Sequence, residues 1–358
     1  MNNPLRIWLE DHWYRPQVSW PLRCLLPLEW LFAYLSRRRR AQYREGRKPV
    51  WQAPIPIIVV GNIVLGGTGK TPFVIWLAET LQAKGWKVGI VSRGYGGQSR
   101  QYPVSISANL SALDCGDEPM LLWRRLQVPV VVDPNRSRAA QFMLERERVD
   151  VIISDDGLQH YALGRHLELA LVDAVRAFGN RHLLPVGPLR ESTRRLEEVD
   201  FIVLRSGAPT LSLAESEVEH NDKRHTYSNK QHCMIVRPTA WVNCKSFERK
   251  ALAAVPLGQV HAVAGIAGPE KFFTSLKQLG IFNFIPHAFP DHHRFSPADL
   301  SFNDDLPIVM TEKDAVKCVQ WATEAMWYLE LQAQLSDATA ELIVDATRAA
   351  AAKLKASH

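Results

Sequence analysis

The chain has 358 residues, with 43 Lys and Arg against 37 Asp and Glu, and 46% of its residues are hydrophobic. This balance is typical of a globular protein long enough for two domains, and it excludes a disordered, collagen-like or disulfide-stapled chain. The cysteines form neither a CxxC pair nor a Cys/His zinc spacing: Cys24, Cys115, Cys233, Cys244 and Cys318. They therefore favour a reduced, cytoplasmic location.

The net charge of +6 is concentrated at the N-terminus. Residues 1–50 hold ten basic and four acidic side chains, whereas the remaining 308 residues hold 33 of each. A basic segment on an otherwise neutral chain predicts an anionic partner for that segment alone.

An apolar run at residues 20–35, WPLRCLLPLEWLFAYL, precedes four arginines at residues 37–40. Two charges and two prolines interrupt the run, so it is too short to span a bilayer, and the order of its parts is unlike a signal peptide. We expect an amphipathic element on a membrane surface; the aromatic residues suited to the headgroup zone are Trp8, Trp13, Trp20, Trp30 and Tyr34. The alternative is a helix packed on the protein's own core beside a solvated charge run.

From residue 50 onward, short β-branched runs alternate with helical patterns. The predicted strands are residues 55–60, 87–91, 129–132, 149–154, 167–172 and 201–204, with helices at 71–84 and 136–148. This alternation predicts an α/β fold with a mostly parallel sheet and helices on both faces. A second alternation, with strands at 260–264, 282–285, 307–310 and 327–331 and a helix at 269–279, predicts a smaller α/β domain.

A glycine-rich loop follows the first predicted strand, in the sequence GNIVLGGTGKTP. Its backbone N–H groups and the following helix N-terminus are suited to binding phosphate, as in a P-loop, through Gly66, Gly67, Thr68 and Gly69. Lys70 would reach the β- and γ-phosphates, and Thr71 would ligate Mg²⁺. Val64 stands where the general P-loop pattern has glycine, so a glycine turn that binds nothing is the alternative.

Two adjacent carboxylates, Asp155 and Asp156, follow the strand predicted at residues 149–154. The carboxyl ends of parallel strands are where α/β sheets bind ligands, and paired carboxylates there suit a Mg²⁺ that arrives with nucleotide. The alternative is a plain Asp-Asp-Gly turn.

Further motifs occur in a fixed order: SRGYGG at residues 92–97, GDEP at 116–119, DDGLQH at 155–160, LLPVGPLRE ending at 191, FPDHH at 289–293 and TEKDAVK at 311–317. Together with the glycine-rich loop, this ordered set resembles the tetraacyldisaccharide 4′-kinase family over about residues 5–320. Members of that family also lack the glycine at the position of Val64.

The resemblance implies a P-loop kinase on the cytoplasmic face of a Gram-negative inner membrane, bound peripherally through its N-terminal segment. It would transfer the γ-phosphate of ATP, with Mg²⁺, to the 4′-hydroxyl of a tetraacylated glucosamine disaccharide 1-phosphate, giving lipid IV-A. No nucleic acid partner is expected. A membrane-surface segment fits a substrate that carries acyl chains.

The resemblance also implies roles for individual residues. Asp117 would be the catalytic carboxylate and His292 its partner from the second domain; from sequence alone, the alternatives are a helix cap for Asp117 and an exposed loop residue for His292. Groups that would clamp phosphates or transition-state charge are Arg93, Tyr95 and Arg136. Glu191 and His160 match the active-site region, with Glu191 as a further metal ligand.

Two other function classes stay open at this point. A P-loop GTPase switch would use the TEKD string at residues 311–314 for base recognition, although the same string is also typical of a helix start. A non-enzymatic adaptor would bind nucleotide and an anionic surface through residues 37–40.

We expect four parts: the membrane-surface segment at 1–48, the P-loop kinase domain at 50–215, the smaller α/β domain at 230–333, and a C-terminal helix at 337–358.

Overall fold

The computed structural model describes residues 4–15, 17–206, 230–254 and 258–356. The residues between the two predicted α/β domains, 216–229, lie outside this range. Within it, thirteen strands form one sheet. The strands are β1 Ile57–Gly61, β2 Val88–Ser92, β3 Val104–Ser105, β4 Val130–Val132, β5 Val151–Ser154, β6 Leu167–Asp173, β7 Phe201–Arg205, β8 Gln231–Asn243, β9 Arg249–Ala251, β10 Val260–Ala264, β11 Phe284–Ala288, β12 Ile308–Thr311 and β13 Met326–Gln334.

Helices connect and flank these strands: α1 Pro4–Trp13, α2 Trp20–Arg23, α3 Leu26–Arg44, α4 Lys70–Ala83, α5 Ala112–Cys115, α6 Asp117–Leu126, α7 Arg136–Arg146, α8 Glu270–Gln278, α9 Glu312–Cys318 and α10 Asp337–Ala356. The strand order is β11-β10-β12-β13-β8-β7-β6-β1-β5-β2-β4-β3, and β9 pairs with β8. Most neighbours are parallel; β8–β13, β8–β9 and β3–β4 are antiparallel. The predicted α/β fold class is confirmed.

Strand β1 shows why both faces of the sheet are covered. Its side chains are fully buried, and alternate residues point to opposite faces. Ile58 and Val60 share one core with Phe73 of α4, whereas Ile57 and Val59 share another core that includes residues of α7. The buried β-branched run therefore becomes a central strand whose carboxyl end opens into the glycine-rich loop.

Strand β8 was not predicted. It joins the first section of the sheet, β1 to β7, to the second section, β9 to β13. Its first residues pair in parallel with β7, while residues 235–243 pair antiparallel with β13. Pro238 lacks an N–H for the ladder, and the register shifts beside it, between Glu330 and Leu331. The two predicted α/β domains thus share one sheet; their boundaries stay a prediction.

The C-terminal helix α10 returns to the first section of the sheet. Ile343 and Val344 lie in the same core as Phe73 of α4. The sequence indicated the helix but not where it packs.

The N-terminal helices are fixed to the protein by buried polar contacts. The Trp13 indole donates to Pro185 O (3.0 Å), and Tyr14 donates to Leu65 O (3.3 Å) at the edge of the glycine-rich loop. Glu29 is buried and accepts a hydrogen bond from Leu183 N (2.7 Å). The headgroup position predicted for Trp13 is wrong, since this side chain is only 6% exposed and completes the packing.

The outer side of the same helices exposes large apolar side chains: Trp20, Leu28, Trp30, Leu31, Tyr34 and Leu35, which we call the α2–α3 apolar patch. Packing on the protein's own core therefore accounts for only one side of this segment. In the part of the chain that the structure describes, no helix is both long and apolar enough to cross a membrane.

Candidate active site

The glycine-rich loop connects β1 to α4, as predicted. Gly66 (φ +114°) and Gly69 (φ +86°) adopt backbone conformations that L side chains rarely take, which explains glycine at these two turns. Thr68 is buried between them, and Lys70 and Thr71 form the first turn of α4. The loop and the helix N-terminus therefore present the N–H groups expected of a phosphate site.

Lys70 is held by two oxygen atoms. Its ammonium donates to Asn62 Oδ1 (3.3 Å) and lies 3.5 Å from Asp156 Oδ1. Asn62 in turn donates to Thr68 Oγ1 (3.1 Å). The side chain is thus pre-oriented along the loop, and Asn62 is a positioning residue that the sequence reading missed.

The two carboxylates predicted for Mg²⁺ follow β5 directly, on the strand next to β1. Asp155 accepts from Ser92 Oγ (3.3 Å), and Asp156 pairs with Arg190 Nη1 (3.0 Å). Burial, followed by the charges of Glu118 and Asp156, raises the pKa of Asp155 to about 7. Burial also raises the pKa of Asp156, but the charges of Lys70 and Arg190 outweigh burial and bring this pKa below the usual value.

This donor set fits Mg²⁺. Crowded, buried carboxylates gain from a divalent cation, which would also fully ionise Asp155. Among the described residues no group of three or more His, Cys, Asp or Glu side chains forms a metal cage. Mg²⁺ suits such a site, because it commonly takes one or two carboxylates together with water and substrate phosphates.

Arg136 lies behind this pair at the start of α7. Its Nη2 donates to Asp155 O (3.3 Å), and its Nε is buried with no hydrogen-bond partner among the described residues. Burial lowers the pKa of Arg136 to about 10, which still leaves the guanidinium charged at neutral pH. An unpaired buried N–H donor beside Asp155 and Asp156 is suited to a phosphate oxygen.

The stretch that ends in GPLRE runs along the glycine-rich loop. Leu65 N donates to Pro188 O (2.8 Å) and Arg190 N to Ile63 O (2.7 Å). Glu191 accepts from Gln159 Nε2 (2.8 Å) and from the Tyr161 hydroxyl. Both Glu191 oxygens are therefore engaged by protein donors, and its role as a metal ligand stays a prediction.

Asp117 and His292, which are 175 residues apart in the sequence, meet in the structure. His292 Nδ1 lies 2.9 Å from Asp117 Oδ2. Asp117 is 5% exposed and occupies the first position of α6, where its other oxygen accepts from Glu118 N (3.1 Å). The predicted pair is thus assembled by a helix start from one section of the sheet and a loop from the other.

Two lysines that were not predicted as site residues complete this pair. Lys313 and Lys317 of α9 place their ammonium groups 3.9 Å and 3.8 Å from Asp117 Oδ2. Burial raises the pKa of Asp117, but the hydrogen bond from His292 and the nearby positive charges outweigh it, so the net pKa lies below the usual value. The TEKD string is therefore a helix start capped by Thr311, located at the Asp117 carboxylate.

Arg93 and Tyr95 lie on the loop after β2, and both side chains are exposed. The Tyr95 ring meets the His292 ring edge-on, with centroids 5.4 Å apart. The positive charge of Arg93 contributes to lowering the pKa of Arg136. SRGYGG therefore lies between the carboxylates of Asp155 and Asp156 and the Asp117–His292 pair.

His160 contacts the first residue of α7, Arg136. Its Nε2 accepts from Arg136 N (3.2 Å), which requires that nitrogen to be unprotonated. Burial and the charges of Arg136 and Arg165 lower the pKa of His160 to about 4.

We expect protonation of His160 to destabilise the fold as the pH falls. Because its folded pKa lies below its unfolded value of about 6.5, the unfolded state binds the proton first, and stability should fall from pH 6.5 toward pH 4, by about 2 kcal/mol at pH 5. His160→Gln keeps an acceptor for Arg136 N without the titration. Urea unfolding at pH 7.5 and pH 5 should show a smaller pH effect in the variant; equal effects would contradict the assignment.

The chain is similar to known proteins over most of its length. The family model of tetraacyldisaccharide-1-P 4′-kinase matches residues 21–348. The chain belongs to this family. It is 45% identical over 327 residues to the tetraacyldisaccharide 4′-kinase of Pseudomonas aeruginosa (strain LESB58), covering 91% of this chain and 92% of the relative. It is also 46% identical over 326 residues to that of Ectopseudomonas mendocina (strain ymp), covering 91% and 92%.

Among solved structures, the chain is similar to the crystal structure of LpxK from Aquifex aeolicus in complex with ATP. The TM-score is 0.76 at 29% identity, over 91% of this chain and 99% of the other. The predicted family, the kinase activity and ATP as phosphate donor are confirmed. The roles of the individual site residues stay predictions.

Proposed function

We propose that this chain transfers the γ-phosphate of ATP to the 4′-hydroxyl of tetraacyldisaccharide 1-phosphate, with Asp117 as the catalytic carboxylate. The observation that carries this proposal is the Asp117–His292 contact beside the glycine-rich loop and the metal carboxylates. The charge of Glu118, the residue after Asp117, raises the pKa of Asp155, so the two groups of carboxylates border one space.

Within that space each group has one task. The glycine-rich loop and Lys70 would bind the β- and γ-phosphates, and Arg136 would donate to the phosphate that is transferred. Thr71, Asp155 and Asp156 would hold Mg²⁺, which would neutralise phosphate charge. Arg93 and Tyr95 would border the incoming groups from the solvent side.

Asp117 would orient the sugar hydroxyl and take its proton. His292 fixes one carboxylate oxygen, and two ammonium groups stabilise the ionised form. Phosphoryl transfer depends mainly on positioning and electrostatic stabilisation. A fixed, ionised Asp117 carboxylate would position the sugar hydroxyl for this reaction.

The GTPase-switch alternative loses its main support. Lys313 of the TEKD string pairs with Glu118 (3.1 Å) and lies beside Asp117. The string therefore borders the Asp117 carboxylate, which a base-recognition loop would not need to do. A switch needs no second carboxylate–histidine pair at that position.

The deciding experiment is transfer of labelled γ-phosphate from Mg·ATP to detergent-dispersed tetraacyldisaccharide 1-phosphate. We expect labelled lipid from the parent protein and a loss of about 100-fold or more in Lys70→Ala, because the lysine stabilises developing phosphate charge. Lys84→Ala, just past the other end of α4 in an exposed ion pair with Glu341, is the matched control and should retain activity. Label found only in inorganic phosphate would contradict the proposal.

We further propose that the α2–α3 apolar patch binds the cytoplasmic face of the inner membrane. Trp30 and Leu31 are 69% and 53% exposed on a helix whose inner side is fixed by Glu29. The exposed arginines at residues 37–39 continue the same helix and suit anionic headgroups, whereas Arg40 pairs with Glu198. The patch would bring the site to an acylated acceptor.

Adding charge to this patch should release the protein from membranes. We expect Trp30→Glu combined with Leu31→Glu to lower binding to anionic phospholipid vesicles by about 10-fold or more, since two large apolar side chains can no longer enter the interface. Leu342→Glu on α10, whose leucine is also 53% exposed, is the matched control. Sedimentation with vesicles measures the effect, and equal binding of all three proteins would disprove the membrane role.

A further inference from the structure

Asp314, the third residue of α9, is a buried carboxylate close to the Asp117–His292 pair. Its Oδ2 accepts hydrogen bonds from Gly265 N (2.8 Å) and from the Thr311 hydroxyl (2.6 Å). Gly265 follows β10 directly, and a Cβ at this glycine would lie 3.0 Å from Asp314 Oδ1. The Asp314 carboxylate is therefore fixed between the start of α9 and the carboxyl end of β10.

The other oxygen of Asp314 holds Lys317, one turn further along α9. Lys317 Nζ donates to Asp314 Oδ1 (2.9 Å), whereas it lies 3.8 Å from Asp117 Oδ2. The shorter distance is that of a charge-assisted hydrogen bond, and the longer one exceeds the range of hydrogen bonds. The ammonium group thus lies near the Asp117 carboxylate without contacting it.

The second lysine beside Asp117 is held in the same way. Lys313 Nζ donates to Glu118 Oε1 (3.1 Å) and lies 3.9 Å from Asp117 Oδ2. The Glu118 side chain is partly exposed, whereas the Asp314 side chain is fully buried. Each ammonium group is therefore bound by a carboxylate other than Asp117, and Asp314 is the more rigidly fixed of these two partners.

This separation matters because protein donors already occupy part of the Asp117 carboxylate. Its Oδ1 accepts from Glu118 N (3.1 Å), and its Oδ2 lies 2.9 Å from His292 Nδ1. A carboxylate oxygen accepts about two hydrogen bonds. A Lys317 ammonium in direct contact with Oδ2 would therefore take the position that a sugar hydroxyl needs.

We propose that Asp314 is a positioning residue for phosphate transfer, because it holds the Lys317 ammonium close to the Asp117 carboxylate but out of contact with it. At this distance the positive charge stabilises ionised Asp117, and Oδ2 stays open to the acceptor hydroxyl. This inference rests on the proposed function and deepens it, since it adds a residue to the same site. Asp314 would act through Lys317 and would not touch the substrate.

The first test is structural and uses Asp314→Asn. Asparagine keeps the shape of the side chain and an acceptor for Gly265 N, but it has no charge to hold the ammonium group. We expect crystal structures to show Lys317 Nζ about 2.8 Å from Asp117 Oδ2 in the variant, a direct ion pair, but not in the parent protein. Equal distances in the two proteins would overturn the inference.

The second test is transfer of labelled γ-phosphate to the lipid. Asp314→Asn should lower kcat/KM for the lipid by about 10–100-fold, as when a charge-assisted hydrogen bond must break before the hydroxyl can bind. Adding Lys317→Met should restore most of this loss, because the blocking ammonium group is then absent. Asp345→Asn is the matched control, since Asp345 forms an exposed pair with Arg348 at the same spacing and the same 2.9 Å. A fully active Asp314→Asn would overturn the inference.

The pH dependence of transfer separates this role from a purely structural one. The charged groups that lower the pKa of Asp117 are His292, Lys313 and Lys317. Lys317→Met removes one of these charges, so the loss of transfer at acidic pH should begin at a higher pH than in the parent protein. In Asp314→Asn the closer ammonium group should move that loss to a lower pH. Lower stability would move it to a higher pH in both variants, and that result would overturn the inference.

These outcomes are distinguishable from failure of the proposed function. A parent protein that labelled no lipid would contradict the proposed function, while the two crystal structures would still test the position of the Lys317 ammonium group. A parent protein that labels lipid, together with an equally active Asp314→Asn, would contradict only the role of Asp314. Lys317→Met leaves the contacts of Asp314 with Gly265 and Thr311 in place, so this variant should fold even if Asp314→Asn does not.

Discussion

Replacing Asp117 by Asn should lower the rate of phosphate transfer to the lipid by about 10²–10⁴-fold, the range expected for loss of a positioned acid–base group. Asparagine keeps the shape of the side chain but cannot take the proton of the sugar hydroxyl. The affinity for ATP should change little, because Asp117 begins α6 and the glycine-rich loop begins α4. Steady-state transfer of labelled γ-phosphate, with direct ATP binding measured alongside, checks both parts.

The lowered pKa of Asp117 determines how it can act as a base. Its carboxylate is ionised throughout the neutral range, so the transfer rate should show no loss from its protonation until the pH falls below the usual range of a carboxyl group. Such a group is a weak base. In a loose phosphoryl-transfer transition state the nucleophile needs orientation first and loses its proton late, which a weak but fixed base allows.

Two comparisons make the Asp117 prediction specific. Asp305→Asn removes an exposed carboxylate and should leave transfer unchanged. In His292→Ala the loss should be smaller than in Asp117→Asn, and the double variant should resemble Asp117→Asn alone, since the histidine acts through the carboxylate it contacts. Additive losses would instead indicate that His292 has a role independent of Asp117.

The structural features that the sequence predicted and the structure shows depend on local patterns. A buried strand, glycines and Lys-Thr define the glycine-rich loop within about a dozen residues, and Asp155 follows its strand directly. The helical start at Thr311 was likewise one of the alternatives stated for TEKD. Each of these features needs only neighbours in the chain.

The missed features depend on contacts between distant segments. Lys317 is 200 residues from Asp117 in the sequence, and only the packing of α9 beside α6 brings the two together. Asn62 stood inside the quoted loop motif, yet its role depends on the Lys70 ammonium folding back toward it. Strand β8 lacked a clear alternation and contains a proline that the register shift accommodates.

The packing of α6 against α9 also contains a buried charge cluster. Arg125, near the end of α6, contacts Glu312 of α9 (3.1 Å) and Glu330 of β13 (3.0 Å). Burial raises the pKa of Glu312 to about 7; the charge of Arg125 opposes that shift and the charge of Glu330 adds to it. One guanidinium thus holds together two buried carboxylates from the second section of the sheet.

Replacing Arg125 by Met should destabilise the protein by about 3–5 kcal/mol at pH 8, the cost of leaving the buried Glu312 carboxylate without its cationic partner. Glu330 keeps its ion pair with Arg249 (2.6 Å). The loss of stability should be smaller at pH 6. Without Arg125 the pKa of Glu312 rises further, so this carboxyl group is protonated at pH 6 and no unpaired charge is buried. Urea unfolding at the two pH values measures both effects. Arg348→Met, which removes an exposed arginine paired with Asp345, should change stability by at most about 1 kcal/mol.

The same two helices connect this cluster to the Asp117–His292 pair. Helix α6 carries Asp117 at its first residue and Arg125 near its end, while α9 carries Glu312 and the two lysines that approach Asp117. Adding Glu312→Gln to Arg125→Met should therefore recover most of the lost stability, since one unpaired charge is removed. If it did not, packing of the arginine stem rather than charge pairing would be what fixes α9, and with it Lys313 and Lys317, beside the Asp117 carboxylate.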